Sequence, residues 1–314
     1  MENKSKPRSK PRSKPGSKPG SKSGSKPRGT KPQDTTPRSQ QNDSRGVGEY
    51  VFRAKSHGAH LFKVLSEILQ SNLKTACFQL KPEGIYLRQM DANRRTLIDL
   101  QMEAENFNLF KYDFQNSDSM FVGLTLTHLH KMMKSIKKKD SICLYILRAN
   151  PNELAIQVIP KENNRITTSY MKVQRVQNIL VDVPSGYDSS VIIPSAEFQK
   201  ISKDILAIGK TIRIKSQGNK LEFGVDSGGI LKRTIEVGAL DEEEPSAGQL
   251  FDQTFQSEQL LKITKLANLS NFVHIHTAAG LPLLFSSRVG DLGKISIFIK
   301  NKNQILADGA EAMG

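Results

Sequence analysis

Eight lysines define the chemistry this chain could do. Lys131, Lys134 and Lys138 recur at three- to four-residue spacing, Lys200 with Lys203 and Lys262 with Lys265 at three, and Lys63 stands in a similar run. Residues so spaced share one side of a helix. An ammonium on a flexible stem suits phosphate oxygens and reads no base edge. Glu67, Asp204 and Glu258 dilute these faces, so contact with a polyanion is expected to be weak, sliding and salt-sensitive. No catalytic set accompanies them. Asp91, Asp99 and Glu103 lack a nucleophile or a metal-spaced partner and read as solvated surface. His128 with His130, and His274 with His276, lack a third ligand at any usual spacing. Gly224, Gly228 and Gly229 are not part of a GxxxxGK[ST] loop. The expectation is a protein without catalysis, metal or cofactor.

Charge is distributed unevenly along the 314 residues. Residues 1–46 hold 13 Lys or Arg against Glu2, Asp34 and Asp43, a net of +10 out of the whole-chain +15. Apart from Met1 and its prolines this arm has no apolar side chain, and a chain that cannot bury surface stays disordered. A strongly basic arm on a mildly basic body points to DNA or RNA, or to a targeting tail. Cys77 and Cys143 each lie in an apolar strand-like run, so two reduced, buried thiols are expected. No apolar run is long enough to cross a bilayer and none reads as a signal peptide, which points to the cytosol, the nucleus or a viral replication factory.

The elements that must position the lysines come in a repeated order. HLFKVLSEILQS places Leu61, Val64, Leu65, Ile68 and Leu69 on one helical face, and alternating strands follow. THLHKMMKSIKKKD reads as a second helix, with strands after it. NILVDVPSGYDSS (Asn178–Ser190) has no lasting period and reads as a connector. Beyond it AEFQKISKDIL can be laid over the first helix, strands follow, and SEQLLKITKLAN takes the place of the second. Two such halves with hairpin-like turns predict an α+β fold in which four helices cover one side of antiparallel sheet. The expected divisions are an arm over 1–46, domains over 47–177 and 191–302 joined by 178–190, and a flexible tail over 303–314.

LRQMDANRRTLIDL (Leu87–Leu100), the GDLG of Gly290–Gly293 before a strand, the paired halves and a connector carrying ILVDVP together resemble the proliferating cell nuclear antigen family, the DNA sliding clamps. The similarity runs from about Val47 to Lys302. It implies the DNA clamp fold, two similar halves with antiparallel sheets on the outside and four helices on the inner face, and a non-catalytic homotrimeric ring whose helices face duplex DNA through the eight lysines above. It implies edge-to-edge joining through Arg165–Val173 and Leu231–Val237, with Arg165, Lys172, Lys232, Arg233 and Glu236 tuning the contact. A weak joint would leave a monomer. It further implies a partner-peptide pocket formed by Met90, Val181, Val183, Pro184, Pro282 and Ile299. DNA polymerase, other proteins with clamp-binding peptides and a clamp loader are the implied partners. The segment IFIKNKNQILADG replaces the family's usual Pro-bearing end and acidic tail. A basic DNA-coating or packaging protein that recruits no replication enzyme is the alternative reading.

Overall fold

The computed structural model describes residues 49–114, 117–162, 165–176, 179, 181–187, 190–238 and 250–311. The basic arm over 1–46 and the acidic turn over 241–244 lie outside the described residues. The described part falls within one compact unit, Ser44–Gly314.

The first half runs β1 (Tyr50–Ser56), α1 (Ala59–Asn72), β2 (Thr75–Lys81), β3 (Gly84–Met90), β4 (Thr96–Glu103), β5 (Leu109–Tyr112), β6 (Met120–Thr125), α2 (Leu126–Met133), β7 (Ser141–Leu147), β8 (Asn150–Ile159) and β9 (Thr167–Lys172). The second runs β10 (Ser190–Pro194), α3 (Ser195–Leu206), β11 (Thr211–Gln217), β12 (Lys220–Asp226), β13 (Lys232–Val237), β14 (Phe251–Gln256), α4 (Ser257–Ile263), β15 (Phe272–His276), β16 (Leu283–Arg288) and β17 (Gly293–Ile299). Every strand pairing is antiparallel.

The expected periodicities hold physically. In α1 the residues Leu61, Leu65, Ile68 and Leu69 are buried, because their spacing turns them to one side. In β17 alternation sends Ile295, Ile297 and Ile299 into the main core with the helices, while Phe298 points to the opposite face. α1 packs on α2 and α4, and α3 packs on α4, so the four helices share one side of the sheets.

Three sheets result, in the orders β5-β1-β7-β8-β9, β10-β15-β16-β17-β4-β3-β2-β6 and β13-β12-β11-β14. The eight-stranded sheet joins the halves, through β17 on β4 in a register that sets Ile297 against Ile98 and Phe298 against Leu97. The GDLG stretch makes this joint possible. Gly290 takes a left-handed φ of 54°, and a Cβ on Gly293 would collide with the Gln101 carbonyl of β4.

Three expectations are corrected here. The second helix ends at Met133 rather than continuing to Asp140. Ile136 is buried, and the Asp140 carboxylate accepts the Lys137 amide hydrogen at 2.8 Å, so KSIKKKD closes as a turn. The fourth helix is α over Ser257–Ile263 and tightens to 3₁₀ over Thr264–Asn268. The tail expected to be flexible is helical over Lys302–Glu311, α5. Asn301 accepts the Gln304 amide at 2.8 Å and donates its own amide to the Gln304 side chain at 3.0 Å, a reciprocal capping box. Gln304 also donates to the Gly280 carbonyl at 2.9 Å, and Lys300 pairs with Asp308 at 2.6 Å. Tail sequence looked polar and aperiodic, whereas these side-chain bonds are what hold its first turns.

Candidate functional site

The lysines fall on the helix side, but not equivalently. Lys200 pairs with Glu197 at 2.7 Å, Lys262 with Glu258 at 2.9 Å and Lys265 with Glu67 at 3.4 Å. The hydrogen bond to Glu197 raises the Lys200 pKa, and that from Lys262 lowers the Glu258 pKa. Lys63 is half-buried and donates to the Ile136 carbonyl at 3.3 Å. Among the described residues Lys131, Lys134, Lys138 and Lys203 make no ion pair, and all four are exposed. Lys134 caps α2 and Lys138 lies beyond it, so the set shares a surface rather than one helical stripe.

On the opposite face the connector lies over a small second core. Leu97, Leu284 and Phe298, from β4, β16 and β17, are buried beneath Met90, Val181, Val183 and Tyr187. The Tyr187 hydroxyl donates to the Pro282 carbonyl at 2.6 Å, and its ring lies 6.2 Å from that of Phe298. Burial pushes the Tyr187 phenol above its usual pKa, so it remains a donor through the physiological range. Of the six expected pocket residues, Met90, Val181 and Val183 meet in this cluster and Pro282 supplies the anchoring carbonyl. Pro184 is half-buried outside the cluster. Ile299 is not part of it. It is fully buried in the main core, and the outward residue is its neighbour Phe298. Leu97, Leu284, Phe298 and Tyr187 were missed; the two-residue period of β4, β16 and β17, which sets Leu97 opposite in direction to Ile98, Leu284 to Phe285 and Phe298 to Ile297, was the signal that could have found the first three.

Both expected edge strands are edges. β9 ends the five-stranded sheet and β13 ends the four-stranded one. Lys172, Lys232, Arg233 and Glu236 lie on them, exposed, and Arg165 precedes β9. Exposed apolar side chains collect at the same edges: Ile166, Tyr170 and Leu231 are 56%, 54% and 48% exposed.

The carboxylates of Asp91, Asp99 and Glu103 hold local structure. Asp91 Oδ1 accepts the amides of Arg95 (2.7 Å) and Thr96 (2.8 Å) and so holds the turn in which Arg94 has a φ of 53°. Asp99 is buried rather than solvated and accepts from Arg88 at 3.0 Å and Gln101 at 2.8 Å. Glu103 accepts from Asn106 at 3.0 Å. Cys77 and Cys143 are buried and form no disulfide among the described residues. Among the described residues no three His, Cys, Asp or Glu side chains converge on a common point, and no helix is long and apolar enough to cross a membrane. A cavity of about 60 Å³ in the first half, lined by residues such as Phe62, Leu69, Phe78 and Met133, is apolar packing space inside the core.

Two repeated α+β halves, helices on one side and a connector-covered apolar cluster on the other, define the class as a two-domain clamp. Family models described as proliferating cell nuclear antigen, N-terminal domain and C-terminal domain match residues 51–182 and 183–302. The chain belongs to the proliferating cell nuclear antigen family, the DNA sliding clamps. It is 27% identical over 263 residues to the proliferating cell nuclear antigen of Dictyostelium discoideum, covering 80% of this chain and 99% of that protein. It is 26% identical over 246 residues to the protein of the same name from Saccharomyces cerevisiae, covering 75% and 92%. A probable DNA polymerase sliding clamp of Paramecium bursaria Chlorella virus 1 is 22% identical over 256 residues, covering 79% and 96%.

Proposed function

We propose that three copies of this chain close head to tail around duplex DNA, without catalysis of their own, and tether DNA polymerase and other replication or repair enzymes through the connector cluster. The observation that carries ring closure is the joint inside each chain. The Ser195 amide donates to the Asn271 carbonyl as Ala59 does to Asp140, which equates β10-β15-β16-β17 with β1-β7-β8-β9. The hairpins Lys81–Gly84 and Gln217–Lys220 likewise equate β2-β3-β4 with β11-β12-β13. β17 is therefore the counterpart of β9, and β4 that of β13. Within the chain β17 pairs with β4, while their counterparts stay open.

The internal joint supplies a register for the joint between subunits. Phe298 opposite Leu97 becomes Tyr170 opposite Lys232, and Ile299 opposite Thr96 becomes Met171 opposite Leu231. This covers the exposed apolar groups of both edges and brings Arg165 beside Glu236. Head-to-tail edges of this kind form rings when the rotation closes.

On the outer side, a peptide with one aliphatic and two aromatic anchors would seat among Met90, Val181, Val183 and the flanking Pro184 and Pro282. A clamp loader would open the ring, and the arm over 1–46 would add a sequence-independent grip. The place of work is the nucleus or a viral replication factory. Native mass measured across concentration tests closure. The expected species has three times the 35.0 kDa of one chain; a persistent monomer would overturn it.

A further inference from the structure

The positive charge of the helix side is not spread over four faces. On α3 and α4, and between the second half and α1, each paired lysine has a carboxylate at its ammonium: Glu197, Glu258 and Glu67. Such surface pairs add little stability, but each cancels the local potential a phosphate would feel. Lys203 of α3 makes no ion pair but stands next to the exposed Asp204, whereas the turn between α2 and β7 gathers several such lysines with no exposed carboxylate among them. Lys134, Lys137, Lys138 and Lys139 are exposed there and make no ion pair among the described residues. Asp140, the one carboxylate of the segment, is buried and accepts the Lys137 amide.

The turn is also held in place. Ile136 is buried beneath it, the Ala59 amide at the start of α1 donates to the Asp140 carbonyl at 3.3 Å, and His57 meets Ser141 at 2.9 Å. Lys63 brings its ammonium to the Ile136 carbonyl, adding a cation to the same corner. Position matters too. The turn lies at the start of α1, whereas the other end of α1 leads into β2, whose first residue is bonded by Gln89 beside the cluster residue Met90. The lysine corner and the apolar cluster are therefore at opposite ends of α1, a helix of 14 residues and so about 21 Å long, as well as on opposite faces.

We infer that the turn at 134–139 is the principal phosphate-binding site of the folded body, one per chain, and that the lysines of α3 and α4 contribute little. It rests on the clamp reading, since it assigns the DNA contact of that clamp to one end of the helix side. The cationic end of a helix could instead serve only the helix dipole, and the test separates these.

Two full-length variants lose the same four charges: K134Q/K137Q/K138Q/K139Q and K200Q/K203Q/K262Q/K265Q. Their affinity for duplex DNA is measured against salt concentration, alongside thermal melting and native mass. Each phosphate contact contributes about 0.9 to the slope of log Kobs against log salt. The first variant should lose about 2 to 4 from that slope and roughly 30-fold or more in affinity at 0.1 M salt. The second should lose under about 1 and less than about threefold. Equal losses, the reverse order or no change in either would overturn the inference. A helix-dipole role alone would lower the melting temperature of the first variant and leave the slope untouched, which also overturns it. Failure of the clamp reading is seen separately, as wild-type protein that never forms a trimer.

Discussion

Replacing Val183 with aspartate is expected to weaken binding of a peptide carrying aliphatic and aromatic anchors by about 100-fold or more, while leaving DNA affinity and melting temperature near wild type. Val183 is half-buried against Leu97, Leu284 and Phe298 with Met90 and Tyr187 beside it. A carboxylate there must remain hydrated, so the connector lifts from the cluster and an incoming anchor meets charge instead of apolar surface. A hundredfold loss is about 2.7 kcal/mol, within the range of a single hot spot. The neighbouring Asp182 is exposed and outside the cluster, so Asp182→Ala should stay within about threefold of wild type. Isothermal titration of one peptide into both variants reads the difference; equal affinities would place partner binding elsewhere.

Proline at Thr234 is expected to abolish assembly without unfolding the chain. In the second half's edge hairpin the Ser227 amide donates to the Leu231 carbonyl at 2.9 Å, which fixes the parity of the ladder. Leu231, Arg233, Ile235 and Val237 direct their backbone groups to β12, and Lys232, Thr234 and Glu236 direct theirs to the open edge. The same reasoning on β9 starts from the Val173 amide on the Asn152 carbonyl at 2.8 Å and leaves Thr168, Tyr170 and Lys172 facing outward. Inside the chain the Lys300 amide bonds to the Arg95 carbonyl at 3.0 Å, so the counterpart residues Phe298 and Leu97 face each other across the built joint. A proline at an outward position removes a donor that β12 does not use and that, in the proposed ring, only the neighbouring subunit would use. Thr234→Pro should thus give a monomer whose melting temperature is within a few degrees of the wild-type monomer. Arg233→Pro breaks the ladder to β12 and should lower it further, by roughly 5 °C or more. Analytical ultracentrifugation and calorimetry on the pair separate the effects, and a trimeric Thr234→Pro would show that this edge is not the joint.

Much of the architecture was legible because periodicity reports burial directly. Leu61, Leu65, Ile68 and Leu69 marked α1, and the repeated order of elements marked two halves. What sequence spacing could not report was who sits across space from whom. Lys265 and Glu67 are far apart in the chain and 3.4 Å apart in the fold, so a face that reads as cationic is locally neutral. Lys138 has helical spacing from Lys134, yet the Asp140 carboxylate and the buried Ile136 end the helix first. Ile299 and Phe298 are chemically interchangeable as pocket walls on paper, and only the strand's pleat decides which one faces outward. The helical tail was hidden for a related reason: its weak periodicity is supplemented by the Asn301 and Gln304 side chains and by Gly280, a residue of another loop.

In the proposed assembly a closed ring holds DNA by topology while weak phosphate contacts let it slide. Retention on nicked circular DNA in the presence of a clamp loader tests it most directly. The protein should remain on the circle through a wash in about 0.5 M salt, where exposed charge contacts are largely screened, and should be released when the circle is cut once. Equal binding to circular and linear DNA, removed from both by the same wash, would contradict it and would leave a basic coating protein as the better description.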